Sequence, residues 1–204
     1  MTVQEISNRL DTLLNKSSRG IVLDEYVKSF YLTQVQSSFV ERVLKMYEYT
    51  DRMRHLIGPL LVTKTPTISL DSPDKYKVDL ESGIKQIVYE VVDKDRVTIP
   101  LDWNDIHYTI KNPFREPDPS IAYRVTFDKI AYLYAKPRPI KYTYVYCKIP
   151  KPIVLQKLPD GLELQGVTDA LTSELPDDVI LQIIEETSQI IIKNKSLFAE
   201  KKEK

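Results

Sequence analysis

Apolar residues recur at three- and four-residue steps near both ends of the chain and at two-residue steps between them, so the sequence reads as helices flanking a β-rich middle. Val3, Ile6, Leu10, Leu13 and Leu14 form the stripe of a short first helix, which the Ser17-Ser18-Arg19-Gly20 stretch ends. Asp24 offers its carboxylate to the first turn of a second helix. Val27, Tyr31, Val35, Phe39, Val43, Tyr47, Met53 and Ile57 then continue one stripe until Gly58-Pro59 stops it. A single helix from Asp24 to Ile57 would extend about 50 Å. That is long for so small a chain, and it predicts either a kink or a partner for the protruding apolar face.

Between Leu60 and Leu155 the period shortens towards two. Lys75–Asp79, Ile87–Val92 and Tyr142–Cys147 read as strands bounded by Pro- or Asp-rich turns. Three prolines in Asn112-Pro113-Phe114-Arg115-Glu116-Pro117-Asp118-Pro119 remove amide donors, so this stretch is a surface loop. The last helix opens at Leu175-Pro176-Asp177-Asp178, where proline suits the first turn and two carboxylates complement the helix dipole. Ile180, Ile183, Ile184, Thr187, Ile190 and Ile191 line its apolar face, and the chain ends in the basic tail Lys201-Lys202-Glu203-Lys204. The expected class is α+β: an N-terminal helical hairpin with one long helix, a β-rich section and a C-terminal amphipathic helix. The expected divisions are 1–59, 60–158 with a Pro-rich arm, and 159–204, within one compact domain.

Composition narrows the function. The 204 residues are 42% hydrophobic and 28% charged, which suits a folded core and excludes a disordered chain. With 29 basic and 29 acidic residues, overall charge asks for no polyanionic partner. The apolar run Ile130–Ala135 is far too short for a membrane span, and the first residues lack the pattern of a signal peptide, so no membrane and a cytoplasmic origin are expected. A lone cysteine, Cys147, excludes an internal disulfide and a Cys-rich zinc site. Five glycines against thirteen prolines suit a scaffold better than a catalyst, because phosphate-cradling loops lean on glycine.

Candidate chemistry is thin. Asp102, Asp105 and His107 are ligand types a transition metal accepts, but their spacing fits no helical face and the segment reads as a loop. His55 follows Arg52 and Arg54 near a helix end, where the dipole favours cations. Cys147 alternates with Tyr142, Tyr144 and Tyr146 along a strand and reads as core. The sequence holds no phosphate-binding, nucleophile-elbow or zinc-protease motif, so no catalytic residue, metal or cofactor is expected. One binding signature remains: Tyr132, Tyr134, Lys136, Arg138, Lys141, Tyr142, Tyr144, Tyr146 and Lys148 mix aromatics with bases, as a single-stranded nucleic-acid-binding module would, with Arg138 and Lys141 as residues that could face DNA. An ordinary sheet edge has the same composition.

Charge is also sorted along the chain. From Lys129 to Leu158 there are seven bases and no acid, and from Asp160 to Glu186 eight acids and no base. Such blocks suit complementary surfaces on successive copies in a ring, as well as plain solvated faces.

Three stretches together resemble the ring or head-to-tail connector proteins of crAss-like and related Bacteroidetes-infecting tailed phages. They are Asp24-Glu25-Tyr26-Val27 through Asp51-Arg52-Met53-Arg54-His55-Leu56-Ile57; Lys111-Asn112-Pro113-Phe114-Arg115-Glu116-Pro117; and Lys148-Ile149-Pro150-Lys151-Pro152-Ile153-Val154-Leu155 followed by Glu174-Leu175-Pro176. The resemblance implies a non-enzymatic virion protein in the neck. It would form a homo-oligomeric ring of twelve copies to match a portal, touch the portal and neighbouring ring or tail proteins, surround DNA in the lumen, and be assembled in the host cytoplasm. Pro150 and Pro152 would stiffen an extended arm and lower the entropy lost on docking. The expected interface residues are Asn112, Pro113, Phe114, Arg115, Lys148, Pro150, Lys151 and Pro152.

Overall fold

A computed structural model describes residues 1–17, 22–46 and 49–200, with side chains as far as residue 194. The expected helix-ending residues 18–20, Tyr47 in the long stripe and the basic tail 201–204 lie outside the described residues. The chain divides into a helical unit, Met1–Leu60 with Pro150–Lys204, and a sheet unit, Leu61–Ile149. The arm that follows Ile149 therefore belongs with the helices.

In the helical unit, Thr2 and Glu5 form a reciprocal cap on α1 (Val3–Ser17): the Glu5 amide donates to Thr2 Oγ1 at 3.2 Å and the Thr2 amide to Glu5 Oε2 at 2.7 Å. Hydrogen bonds from Thr2 hold the Glu5 carboxyl below its ordinary pKa. Asp24 caps α2 (Glu25–Met46) as expected, accepting from the Tyr26 amide at 2.7 Å. The two helices are tied by Lys28, whose ammonium lies 2.7 Å from Asp11 Oδ2 and 2.7 Å from Glu25 Oε1, beside Ser7. Burial acts to lower the Lys28 pKa, but the bonds and charges of the two carboxylates outweigh it and raise the value.

Of the two outcomes expected for the stripe from Asp24 to Ile57, the structure shows an interruption: α2 ends at Met46 and α3 (Asp51–Ile57) begins anew. Thr50 is the reason on the C-terminal side. It is extended, with φ −118° and ψ 170°, and its hydroxyl accepts from the Met53 amide at 3.4 Å, so a new N-cap forms where an unbroken helix would have spent the same amide on its own ladder. A single 3-10 turn (Gly58–Leu60) follows α3. The C-terminal α5 (Asp177–Glu200) starts as the sequence implied and buries Val179, Ile180, Ile183, Ile184, Thr187 and Ile191.

The arm after Ile149 is gripped by α2. Leu155 donates its amide to Ser29 Oγ at 3.0 Å. The Ile153 amide donates to Thr33 Oγ1 at 3.0 Å, and that hydroxyl donates to the Ile153 carbonyl at 3.3 Å. Gln36 Nε2 donates to the Lys151 carbonyl at 2.7 Å and its Oε1 accepts from Ser173 Oγ. Residues 29, 33 and 36 share one helix face, while 151, 153 and 155 are alternate residues of an extended chain. From Ser29 to Gln36 the helix rises about 10.5 Å and from Lys151 to Leu155 the extended chain spans about 13 Å, a difference small enough for the three side chains to reach alternate residues of the arm. The helix side chains thereby complete the backbone hydrogen bonds that a neighbouring strand would supply. Beyond the arm, Val154, Leu158 and Leu164 form a small core with Tyr26, Val167 and Leu171, closed by a two-residue turn at Gln165-Gly166, both residues with positive φ.

The sheet unit is one eight-stranded sheet: β1 (Leu61–Lys64), β2 (Ser69–Ser72), β3 (Lys75–Asp79), β4 (Ile84–Val92), β5 (Arg96–Pro100), β6 (Ile121–Phe127), β7 (Ile130–Tyr134) and β8 (Tyr142–Lys148), in the order β1-β8-β4-β5-β6-β7-β3-β2. Every pair is antiparallel except β5 with β6, which are joined by α4 (Trp103–Lys111) as a βαβ crossover. The segment around Asp102–His107 is thus a helix where a loop was expected. Asp102 stands at its N-cap, Ile106 and Thr109 are buried, and Ile106 packs on Tyr123 and Val125 of β6.

The sheet curls until β8 and β3 share one core. Tyr76, Val78, Val92, Ala122, Ala131, Leu133 and Ala135 pack with Tyr142, Tyr144 and Tyr146, and small residues on β6 and β7 admit the rings. The three tyrosine rings stack along β8 with centroids 5.5 and 5.8 Å apart. Of the aromatic and basic signature, Tyr142, Tyr144 and Tyr146 are thus interior and offer bases no face to stack on, while Tyr132 and Tyr134 are half-buried. Glu90 Oε2, nearly enclosed, accepts from Arg124 Nε and from Tyr142 Oη, each at 2.7 Å, linking β4, β6 and β8. Burial, followed by the Glu90 charge and hydrogen bond, drives the Tyr142 phenol far above its ordinary pKa.

Candidate functional site

Cys147 is buried on β8, and burial pushes its thiol up to about 11, away from the thiolate a nucleophile needs. His55 lies 3.1 Å from Asp178 on the surface of the helical unit. Among the described residues no group of three His, Cys, Asp or Glu side chains could hold a metal. No helix among them is long and apolar enough to cross a membrane.

What the sheet unit presents is apolar surface. Packing α4 through Ile106, Thr109 and Ile110 leaves its other face, Trp103, Asn104, His107, Tyr108 and Lys111, around an open cleft of about 510 Å³. Trp103 carries this surface onto the sheet: its ring lies 5.9 Å from Phe127 and 6.0 Å from Tyr132, and Lys75 sits 4.2 Å over the Tyr132 ring. Just past the helix, Asn112 Oδ1 accepts from the Phe114 amide at 3.0 Å and the Asn112 carbonyl from the Arg115 amide at 2.9 Å. This turn holds Phe114 out at 95% exposure.

A second projection is more rigid. Arg96, almost wholly buried, donates to the Pro137 carbonyl at 2.9 Å and the Pro119 carbonyl at 3.3 Å. It also pairs with Asp93 at 3.4 Å. Asp93 Oδ1 accepts from the amides of Ile140 and Lys141 at 2.7 and 3.0 Å. This clamp fixes the loop 136–141, with Arg138, Ile140 and Lys141 exposed at its tip and Ile140 at 91% exposure.

The residues singled out in the sequence separate accordingly. Pro113, Phe114 and Arg115 are exposed, with Asn112 half-buried as the builder of their turn. Lys148 is half-buried at the end of β8. Pro150 and Pro152 are buried, their arm held by α2, and only Lys151 of that trio is exposed, 4.0 Å from Glu174. Arg138 and Lys141 are exposed and have no ion pair among the described residues. Trp103, Tyr108, Phe127 and Ile140 were not singled out. The signal for the first two was present as a spacing of five in a helix whose other face is apolar, but it was hidden by taking that segment for a loop.

The family model described as phage tail ring protein 3/4 matches residues 1–203. A curated relative, "Ring protein 3" of Bacteroides phage crAss001, is 29% identical over 230 aligned positions, covering 100% of both chains. The family match runs through both units, and the chain belongs to the phage tail ring protein 3/4 family.

Proposed function

We propose that this protein is a structural, non-catalytic subunit of a ring in the neck of a tailed-phage virion, in twelve copies, contacting portal and neighbouring tail components around the passage for DNA. Full-length membership of a ring-protein family carries the reading. The relative over the whole length is named for a ring, which supports it. The aromatic face of α4 and the turn at Phe114 are the proposed contact surface. Exposed rings of this size on a monomer leave an apolar patch unsatisfied, and a subunit interface covers it.

Native mass spectrometry of the purified chain, alone and mixed with the portal of the same virus, tests this. Twelve chain masses, or a stable complex with the portal, are expected. A strict monomer that ignores the portal at every concentration would overturn the assignment. Trp103→Glu with Phe114→Asp should weaken assembly by about tenfold or more, since each removes a large apolar side chain from a buried contact, while leaving the melting temperature nearly unchanged.

A further inference from the structure

Resting on the ring reading, we infer that the clamped loop 136–141 is a knob that inserts Ile140 into a cleft on the helical unit of the next copy, so that its bases meet protein and not DNA. Three observations carry this.

The first is the tip itself. A loop made to neutralise phosphates gains nothing from an isoleucine held in water, yet Ile140 is 91% exposed and its amide is fixed by Asp93. The buried Arg96 anchors the same loop through the Pro137 carbonyl. Pre-ordering of this kind lowers the entropy lost on docking and suits an apolar anchor entering a pocket.

The second is a receptor of matching kind. Phe30, Gln34, Ser37 and Ser38 on the outer face of α2, with Leu164 and Gln165 from the turn beyond the arm, line an open cleft of about 530 Å³. Thr33 completes the lining, in which Phe30 and Leu164 are the apolar members among small or uncharged polar side chains.

The third is charge. Arg138 and Lys141 flank Ile140 and have no ion pair among the described residues, whereas the neighbouring Lys136 is already engaged by Asp74 and Glu116. The segment that carries Leu164 holds Asp160, Glu163 and Asp169, all exposed and likewise without an ion pair among the described residues, against one base, Lys157. Two cations without an ion pair thus flank the isoleucine tip, and the segment that lends Leu164 to the cleft carries an excess of carboxylates without an ion pair among the described residues. Because knob and cleft are different surfaces, the contact is head-to-tail and propagates from copy to copy until it closes.

The test is oxidative cross-linking of two variants of the full chain, Ile140→Cys mixed with Ser37→Cys, the buried Cys147 being replaced by alanine in both. A heterodimer above the level given by Ile140→Cys mixed with Ser120→Cys is expected, even where the free chain is largely monomeric. Arg138→Glu with Lys141→Glu should cut the cross-link at least about fivefold, and adding Asp160→Lys and Glu163→Lys on the partner should restore it. No cross-link above the control overturns the inference. It is also overturned if the Arg138 and Lys141 reversals leave self-association intact and abolish only retention on duplex DNA. A wild-type ring without the cross-link would sink this contact and leave the ring assignment standing; a chain that neither assembles nor cross-links would sink both.

Discussion

Replacing Thr33 by valine removes one hydroxyl from the middle of the contact between α2 and the arm, at nearly constant volume. That hydroxyl both accepts from the Ile153 amide at 3.0 Å and donates to the Ile153 carbonyl at 3.3 Å, and Ile153 is fully buried. No water reaches the freed amide, so the cost is that of a buried unpaired donor, about 1–3 kcal/mol. For a chain of this size each kcal/mol lowers the melting temperature by about 2–4 °C. Thr33→Ser is the control: it keeps the hydroxyl and loses one methyl group, worth about 0.8 kcal/mol. Urea unfolding followed by tryptophan and backbone signals gives the two stabilities, and hydrogen exchange reports the amides of Ile153 and Leu155 directly. The valine variant should be the less stable and should exchange at Ile153 markedly faster, with the serine variant close to wild type. Equal stabilities, or unchanged protection at Ile153, would refute the account of α2 as a stand-in for a strand.

Other consequences follow from the sheet unit and the thiol. Glu90→Ala strands the Arg124 guanidinium in the curl without its carboxylate and should cost about 3–5 kcal/mol, much of it recovered when Arg124→Met is added; additive losses in the double-mutant cycle would contradict the pairing. The Cys147 thiol, raised from 9.0 to about 11 by burial, contributes stability that is complete below pH 9 and is lost as pH rises from 9 towards 11, where only the unfolded thiol ionises. Comparing wild type with Cys147→Ala across that window should show the two curves converging, and a thiol reagent at neutral pH should label Cys147 only on unfolding. Tyr142→Phe leaves Glu90 with one donor instead of two and should destabilise by about 1–3 kcal/mol, measured by the same unfolding curves.

The sequence disclosed those elements whose partners it carries nearby. Lys75–Asp79 is β3, Tyr142–Cys147 falls within β8, and the start of α5 after Pro176 follows from its two carboxylates and its isoleucine stripe. It hid what depends on distant backbone. Ser29, Thr33 and Gln36 look like a solvent face, and nothing in the helical period tells that amides and carbonyls more than a hundred residues later will cover them. The tyrosines of β8 were ambiguous for a related reason. Alternation places them on one face, but only the curl of the sheet, which packs them against Ala122 of β6 and Ala131 of β7, decides that the face is interior. The start of α3 as a separate helix is marked by a single threonine competing for one amide, an effect smaller than the apolar stripe that runs past it. Of the surface, the turn at Asn112–Arg115 was readable from its prolines, whereas Ile140 gained meaning only once Arg96 and Asp93 were seen to hold its loop.

The sheet unit enters through β1 and leaves through β8, and these two strands pair with Leu61 opposite Cys147. Its two covalent tethers therefore emerge side by side, and in the sequence the whole unit is an insertion between the two parts of the helical one. Excising it and bridging residue 60 to residue 150 with a few glycines asks the flanking chain to span only the gap between adjacent strands.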